Sequence, residues 1–486
     1  MEKLAFIFSK NKIAIAVIAL IFIAAYCSVG YHQADEHFQI LEYAALKLHL
    51  TQPSLLPWEY QFQMRPALQP AIVVCIYNVV EFLFGSNPFL VNFLLRLLSG
   101  ILSFSGLFLL YKIHKNEFSN QKILAKYFLL SSFFLWFYFY CGVRFSSENW
   151  SASFFVLGYC SYFLTGKKKW LQAFLVGALL GLSVVCRTQS AAMVAGFGLW
   201  LLLVKKEKIQ WLLAIVICFF LLYGFGMLID KWFYGKWVFT AYNYYHQNIT
   251  LHKAALGAGS NPWWFYFSYF FITGVPPISL VIIITALSFF ALFPWNAVTW
   301  IVFPFVLSHI ILAHKELRFL FPIIVFIPFM FTKSVQKVDV FFSLLKSKLF
   351  RRSMAFVWFI NLAVLAIVVV KPLNIHDSLY HFMFKNYADK TILYCRTADD
   401  NPYKKVGLDV NFFKRKNLEI KVISSLNEAV AVPTTNCFFV TEHKKQFADS
   451  LQNKKMIYCT FPNWVWKFNF NNWLERTDCY YLYQLN

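Results

Sequence analysis

Eleven apolar runs punctuate the chain, near residues 13–29, 88–111, 123–143, 150–165, 170–186, 188–204, 210–229, 270–293, 296–313, 317–332 and 354–370. Each predicts a helix, yet several fall short of the roughly 20 residues that cross a full hydrocarbon core. Short spans go with re-entrant or cavity-lining elements. The run from Ala67 to Phe84 is also apolar, but Gln69, Asn78 and Glu81 interrupt it. That pattern predicts a helix lying flat at the membrane surface. After Val370 the pattern changes to short β-rich segments, Thr391–Cys395, Leu418–Ile423, Cys437–Val440 and Lys455–Phe461, separated by helix-compatible Leu426–Val430 and Lys444–Gln452. Residues 371–486 therefore predict a small α/β domain, following a membrane domain over 1–370. No internal repeat or low-complexity tract appears.

Composition agrees with this division. The 486 residues are 59% hydrophobic and only 14% charged, with mean hydropathy +0.54. A soluble globular chain carries about a quarter charged residues. The net charge of +22 would suggest nucleic acid in a soluble protein. Here it follows topology, and a nucleic-acid partner is not expected. Most basic residues before Lys371 fall in five clusters: Lys3/Lys10/Lys12, Lys112/Lys115/Lys122/Lys126, Lys167/Lys168/Lys169, Lys205/Lys206/Lys208 and Lys333/Lys337/Lys346/Lys348/Arg351/Arg352. Basic residues flanking spans prefer the cytoplasmic side. With an uncleaved first span, the N-terminus inside and residues 67–84 left out of the count, all five clusters fall inside. The loops at 30–87, 144–149, 187, 230–269 and 314–318 fall outside, and the odd number of spans puts the tail outside too. Six cysteines sit in or beside apolar runs as packing residues. Cys395, Cys437, Cys459 and Cys479 lie in the tail, where an oxidising compartment would allow two disulfides of unspecified pairing. No CxxC occurs, so a metal site is not expected.

The outer loops hold the chemistry. His314-Lys315-Glu316-Leu317-Arg318 packs four ionisable side chains between two apolar runs, and charge at a bilayer rim marks a binding site more often than a stop signal. Asp35 and Glu36 lie just beyond the first span. A carboxylate held there suits a general base for a hydroxyl, although a loop acid or helix N-cap would read the same. Trp58, Glu59 and Tyr60, with Arg65 close behind, suit a carbohydrate or headgroup site, against the plainer reading of an interfacial aromatic belt. Arg144 and Arg187 stand in two small outer turns. Arg187 joins two short spans and so lies near membrane depth, where its planar fork suits phosphate oxygens. Gly257-Ala258-Gly259-Ser260 lacks the pattern of a phosphate loop. Asn149-Trp150-Ser151 and Asn248-Ile249-Thr250 are sequons that chance accounts for.

Together these residues resemble glycosyltransferase family 22, the multispan mannosyltransferases that use dolichyl-phosphate mannose. The resemblance rests on Gln33-Ala34-Asp35-Glu36-His37-Phe38-Gln39 with Glu42, and on Trp58-Glu59-Tyr60 with Arg65. It continues through Asp230 to Tyr234-Gly235-Lys236-Trp237, Tyr242-Asn243, Asn261-Pro262-Trp263-Trp264-Phe265-Tyr266 and His314-Lys315-Glu316-Leu317-Arg318-Phe319. The middle loop most resembles the branch that adds the third mannose of glycosylphosphatidylinositol anchors. Gln33-Ala34 replaces the His-Pro usual in the family, and Pro66 the usual Ser, which leaves the carboxylates intact and the exact acceptor unspecified.

The resemblance implies an all-α polytopic membrane protein with the C-type glycosyltransferase (GT-C) fold, about eleven transmembrane helices and a soluble C-terminal α/β domain. It implies an inverting reaction on the extracytoplasmic or lumenal face, with Asp35 as base and Glu36 as helper or acceptor contact. His314, Lys315 and Arg318, then Arg187 and Arg144, would hold the donor phosphate. Trp58, Glu59, Arg65 and Trp263 would face acceptor or sugar. The expected partners are polyprenyl-phosphate mannose, a glycolipid acceptor and membrane lipids, with no cofactor. The membrane would be the endoplasmic reticulum in a eukaryote and the plasma membrane in a bacterium. A lipid or solute transporter is the alternative from another class; midplane charges or paired repeats would favour it. A C-type enzyme with another lipid-phosphate sugar is the third reading.

Overall fold

The computed structural model describes the chain apart from residues 1, 165–168, 274, 339–346, 398–399, 430–435, 443–450, 452–453, 463, 478 and 486. Lys167, Lys168 and Lys346 of the basic clusters, Val430 and most of the segment Lys444–Gln452 lie outside the described residues. By packing, the chain forms two units. One comprises Met1–Cys27, Phe62–Gln69 and Leu94–Lys371; the other comprises Ser28–Gln61, Pro70–Phe93 and Pro372–Asn486. The grouping therefore cuts across the compositional boundary at residue 370.

The apolar runs of the first unit are largely helical, but the run near 270–293 is split into Phe265–Thr273 and Ile278–Leu292. Pro88–Phe118, Lys122–Gly142, Ile209–Tyr234, Leu317–Lys337 and Lys348–Val370 are long and apolar enough to cross a membrane. Ile278–Leu292 and Ala297–Ile311 would add a sixth span if taken together, although a 119° bend separates them. Pro294 lies at that bend, and the Asn296 side chain caps the second helix by accepting from the Val298 amide at 2.9 Å. Lys12–Cys27, Trp170–Cys186 and Thr188–Val204 are shorter apolar helices, as is Leu68–Phe84, most of which belongs to the second unit. Ile209–Tyr234 stops at Gly235, whose φ of 74° is the left-handed C-terminal turn that glycine adopts without strain.

Small residues set how closely these helices pack. Gly181 lies under Phe219, whose carbonyl oxygen would sit 2.8 Å from an added Cβ. Gly196 is tighter, because a Cβ there would run into the Trp300 carbonyl. Gly196→Ala should therefore destabilise the detergent-solubilised protein by about 1–3 kcal/mol. Gly198→Ala, with nothing within 4 Å of its added Cβ, is the control. Thermal unfolding should shift for the first and not for the second.

The second unit is built on a five-stranded sheet. Its strands are β1 (Thr391–Cys395), β4 (Leu418–Val422), β5 (Asn436–Thr441), β6 (Met456–Cys459) and β7 (Tyr481–Gln484), in the order β4-β1-β5-β7-β6. The strands β2 (Lys404–Lys405) and β3 (Leu408–Asp409) form a separate two-stranded ladder. β1 runs parallel to β4 and β5, with Leu393 opposite Ile420 and Phe438. β7 is antiparallel to both β5 and β6. Every residue of β1 is buried, which is how a strand covered on both faces reads. Leu426–Glu428 is a short 3-10 turn. All ten cysteines are thiols here, and Cys459 and Cys479 bring their sulfurs to 3.7 Å.

Most of the first outer loop, Ser28–Gln61 and the stretch from Pro70 on, is part of this unit. The Leu373 amide donates to the Val29 carbonyl at 2.8 Å, and the Tyr31 amide to Asn374 Oδ1 at 2.6 Å. Glu42, fully buried, accepts from the amides of Asn411 at 2.8 Å and Phe412 at 2.9 Å, and pairs with His37 Nε2 at 2.9 Å. It clamps the loop onto the tail.

Candidate active site

The His314–Arg318 segment enters an unusual stretch of backbone. Leu317–Phe326 is a ten-residue 3-10 helix containing Pro322, and it continues as the α-helix Ile327–Lys337. Runs of 3-10 longer than three or four residues are uncommon and often mark strain or function. The segment before it is braced from the 257–261 turn. Asn261 N donates to the Ala313 carbonyl at 2.9 Å, and the His314 Nδ1 edge meets the Gly259 carbonyl at 3.1 Å. The glycine-rich turn thus supports the charged segment.

A charge cluster follows. Glu148 and Arg187, both buried, pair at 2.6 Å through Glu148 Oε1 and Arg187 Nη1, which also donates to Ser147 Oγ at 3.2 Å. Arg318 Nη1 approaches the same Glu148 oxygen at 3.6 Å. Arg318 also makes a two-pronged contact with Glu316, Nε to Oε2 at 2.8 Å and Nη2 to Oε1 at 3.1 Å. His314 Nε2 meets Glu316 Oε1 at 3.1 Å. The two guanidinium carbons lie 5.2 Å (Arg187) and 5.5 Å (Arg318) from the centre of the Phe319 ring. Three expected cationic residues, His314, Arg187 and Arg318, therefore converge, organised by two carboxylates that the composition did not single out as ligands. Glu148 was legible only as one acid of a small turn.

Arg187 retains unused capacity. Its Nε and Nη2 are buried and have no hydrogen-bond partner among the described residues. A buried charged donor without a partner is costly.

The other expected cations behave differently. Lys315 is buried, and its ammonium donates to the carbonyls of Asn261 (2.9 Å) and Leu312. It braces the turn. Arg144 is buried with Nε donating to the Tyr140 carbonyl at 3.2 Å. Asn149 of the first sequon is buried, its side-chain nitrogen donating to the carbonyls of Gly142 and Arg144 at 2.7 and 2.9 Å, which leaves no room for a glycan. Arg65 lies over the Tyr244 ring at 5.5 Å, and Trp263 is exposed. Asp230 is a brace: it accepts from the Ala67 amide at 2.7 Å and Thr240 Oγ1 at 3.2 Å.

In the second unit the carboxylate loop forms one broken helix, Ala34–Glu36, then a π turn over His37–Leu41, then Glu42–Lys47. Such π turns cluster at functional sites. Gln33 is the N-cap, and Glu36 Oε1 accepts from the amides of His32 (3.2 Å) and Gln33 (3.4 Å), completing a capping box. Glu36 thus holds the turn that presents Asp35, which is partly exposed in the first helical turn. Beside them, burial and then the charges of Asp377 and Glu36 push the Tyr31 phenol up to about 12. Glu59 is buried and accepts from Gln39 Nε2 at 3.1 Å, whereas Trp58 is exposed.

Residues 13–389 match the model of the Alg9-like mannosyltransferase family. The chain is similar to GPI alpha-1,2-mannosyltransferase 3 of Bos taurus, 25% identical over 313 residues that cover 60% of this chain and 53% of that one. It is similar to the Homo sapiens protein of the same name, 27% identical over 314 residues, covering 60% and 51%. GPI mannosyltransferase 3 of Candida albicans is 27% identical over 296 residues, covering 60% and 57%. The chain spans about half the length of the curated relatives it matches. Among solved structures it resembles ArnT from Cupriavidus metallidurans, a GT-C fold, in the apo state with TM-score 0.53, covering 99% of this chain and 98% of that one. The same protein bound to undecaprenyl phosphate gives 0.52, covering 98% and 97%, and both are 10% identical. The fold is thus shared while the sequence has diverged, and the chain belongs to the Alg9-like mannosyltransferase family.

Proposed function

We propose that this protein is an integral-membrane α-mannosyltransferase that moves mannose from a polyprenyl-phosphate carrier to a hydroxyl of a lipid-linked glycan. The single observation carrying the donor assignment is Arg187, buried beside Glu148 and Arg318 with two nitrogens, Nε and Nη2, unpartnered among the described residues. Phosphate oxygens are the ligand class that matches a planar fork of this kind. A structural relative captured with undecaprenyl phosphate and family relatives named as GPI mannosyltransferases support the reading.

The chemistry then needs few parts. The acceptor hydroxyl attacks the anomeric carbon from the face opposite the phosphate, so configuration inverts. Asp35 takes the hydroxyl proton as the new C–O bond forms. The bond from the anomeric carbon to the phosphate oxygen breaks, and the polyprenyl phosphate leaves with the electron pair. Arg187, Arg318 and His314 stabilise the charge growing on that phosphate. Glu36 holds the turn under Asp35, while Lys315 and Arg144 serve the phosphate side through backbone. Trp58, Glu59, Arg65 and Trp263 serve the acceptor or sugar, the two tryptophans with exposed rings. Eleven spans, with the tail and the site on the extracytoplasmic or lumenal face, would give lipid carriers access through the bilayer. That bilayer is the endoplasmic reticulum in a eukaryote and the plasma membrane in a bacterium.

The test is incubation of purified protein with polyprenyl-phosphate mannose and candidate acceptor glycolipids, reading products by mass. Addition of one hexose, with release of polyprenyl phosphate, is expected. Transfer from a soluble nucleotide sugar in its place would contradict the donor assignment.

A further inference from the structure

One buried polar group near the cation cluster has no part in the mechanism above. His309, on the helix Ala297–Ile311, is 1% exposed. Its Nδ1 lies 2.8 Å from the Phe305 carbonyl and 3.3 Å from Ser308 Oγ, while Ser308 Oγ itself donates to that carbonyl at 2.8 Å. A carbonyl only accepts, so the ring proton sits on Nδ1. In the neutral ring Nε2 is then a bare acceptor, and it has no hydrogen-bond partner among the described residues. The ring is held against Phe305, with centres 4.3 Å apart, and against Phe319, with centres 6.0 Å apart. Phe319 is the same ring that Arg187 and Arg318 flank.

Two kinds of unpartnered buried atom thus surround one phenyl ring, the donors of Arg187 and the acceptor of His309. A phosphate alone would satisfy the first and repel the second, because its ionised oxygens carry no proton to give. A hydrocarbon chain would satisfy neither. The ligand that satisfies both is a phosphate ester bearing hydroxyl groups close by. We infer that His309 Nε2 accepts a hydrogen bond from a hydroxyl of the sugar carried on the donor phosphate, and so selects the sugar. This rests on the donor assignment of Arg187. Buried acceptors of this kind discriminate strongly, because a ligand lacking the hydroxyl leaves the nitrogen unpaired.

The test uses full-length purified protein and polyprenyl-phosphate mannose beside its 2-, 3-, 4- and 6-deoxy analogues. Wild type should lose at least about tenfold in kcat/KM on one of the four. His309→Phe should lose a similar factor on mannose and show no further loss on that analogue. Two further variants separate recognition from folding. His309→Asn can keep the bond to the Phe305 carbonyl but places no acceptor at the Nε2 position, so it should behave as the Phe variant. His309→Gln reaches that position with an amide oxygen and should recover part of the discrimination. If His309→Phe discriminates among the analogues as wild type does, water satisfies the nitrogen and the inference fails. Rescue by Asn but not by Gln would show a structural role and also overturn it. Failure of wild type to use the mannosyl lipid at all would instead bring down the donor assignment, and this inference with it.

Discussion

Asp35→Asn should leave the protein folded and remove about 10²–10⁴-fold of its transfer rate, the range a positioned general base supplies. The substitution keeps shape and polarity while deleting the proton acceptor. Asp35 is partly exposed in a turn whose backbone is held by its neighbour, since Glu36 accepts from the amides of His32 and Gln33. Glu36→Gln therefore makes the comparison. A neutral amide oxygen can still accept from those two amides, so the expected penalty is about 1 kcal/mol of stability and a much smaller loss of rate. Turnover and thermal unfolding measured on both variants would tell them apart. Equal losses of activity would remove the distinction between base and cap.

The second large effect is expected at Arg187. Arg187→Lys keeps a positive charge beside Glu148 but replaces a planar fork with a point donor. The two nitrogens unpartnered among the described residues vanish with the guanidinium. Loss of such a preorganised donor typically lowers the rate by about 10²–10³-fold, and here kcat/KM for the lipid donor should fall by that factor. The KM for acceptor should hardly move. Glu148→Gln should act otherwise, because Glu148 Oε1 is shared by Arg187 at 2.6 Å and Arg318 at 3.6 Å. Removing it strands cations in a buried site and should cost about 3–5 kcal/mol of stability, visible as a lower unfolding temperature. Varying the donor at fixed acceptor, with unfolding followed in parallel, checks both.

Much of the architecture was legible as hydrophobic pattern. A run of apolar residues has few ways to satisfy its backbone other than as a helix, and the apolar runs of the first unit are largely helical, the split between Phe265–Thr273 and Ile278–Leu292 excepted. Thr391–Cys395 was read residue for residue, because a short apolar run with β-branched and aromatic side chains suits a buried strand. β7 at Tyr481–Gln484 escaped that reading. It is only four residues long, and its place between β5 and β6 comes from pairings across the tail. The packing of the first outer loop with the tail escaped it too. Glu42 meets Asn411 and Phe412 across some 370 residues of chain, and no local pattern announces such a bond.

The site divides in the same way. Charges flanked by apolar runs drew attention to Arg187, Arg318 and His314, and these three converge. Lys315 has the same sequence signature, yet its ammonium bonds two carbonyls, since only three-dimensional geometry decides where a flexible side chain turns. His309 lies inside an apolar run, where no motif marks it. Its significance lies in a nitrogen without a partner among the described residues, a property that exists only in the folded state.

The reaction as drawn requires the base and the phosphate clamp on one side of the bilayer. The direct measurement is thiol labelling in sealed membrane vesicles. It uses a chain whose ten native cysteines are replaced, with single cysteines introduced at position 35 or 318 and a membrane-impermeant maleimide added from each side in turn. Both positions should react from the extracytoplasmic or lumenal side, and a cysteine at Lys205 from the cytoplasmic side. Reaction of 35 and 318 from opposite sides would contradict the account outright.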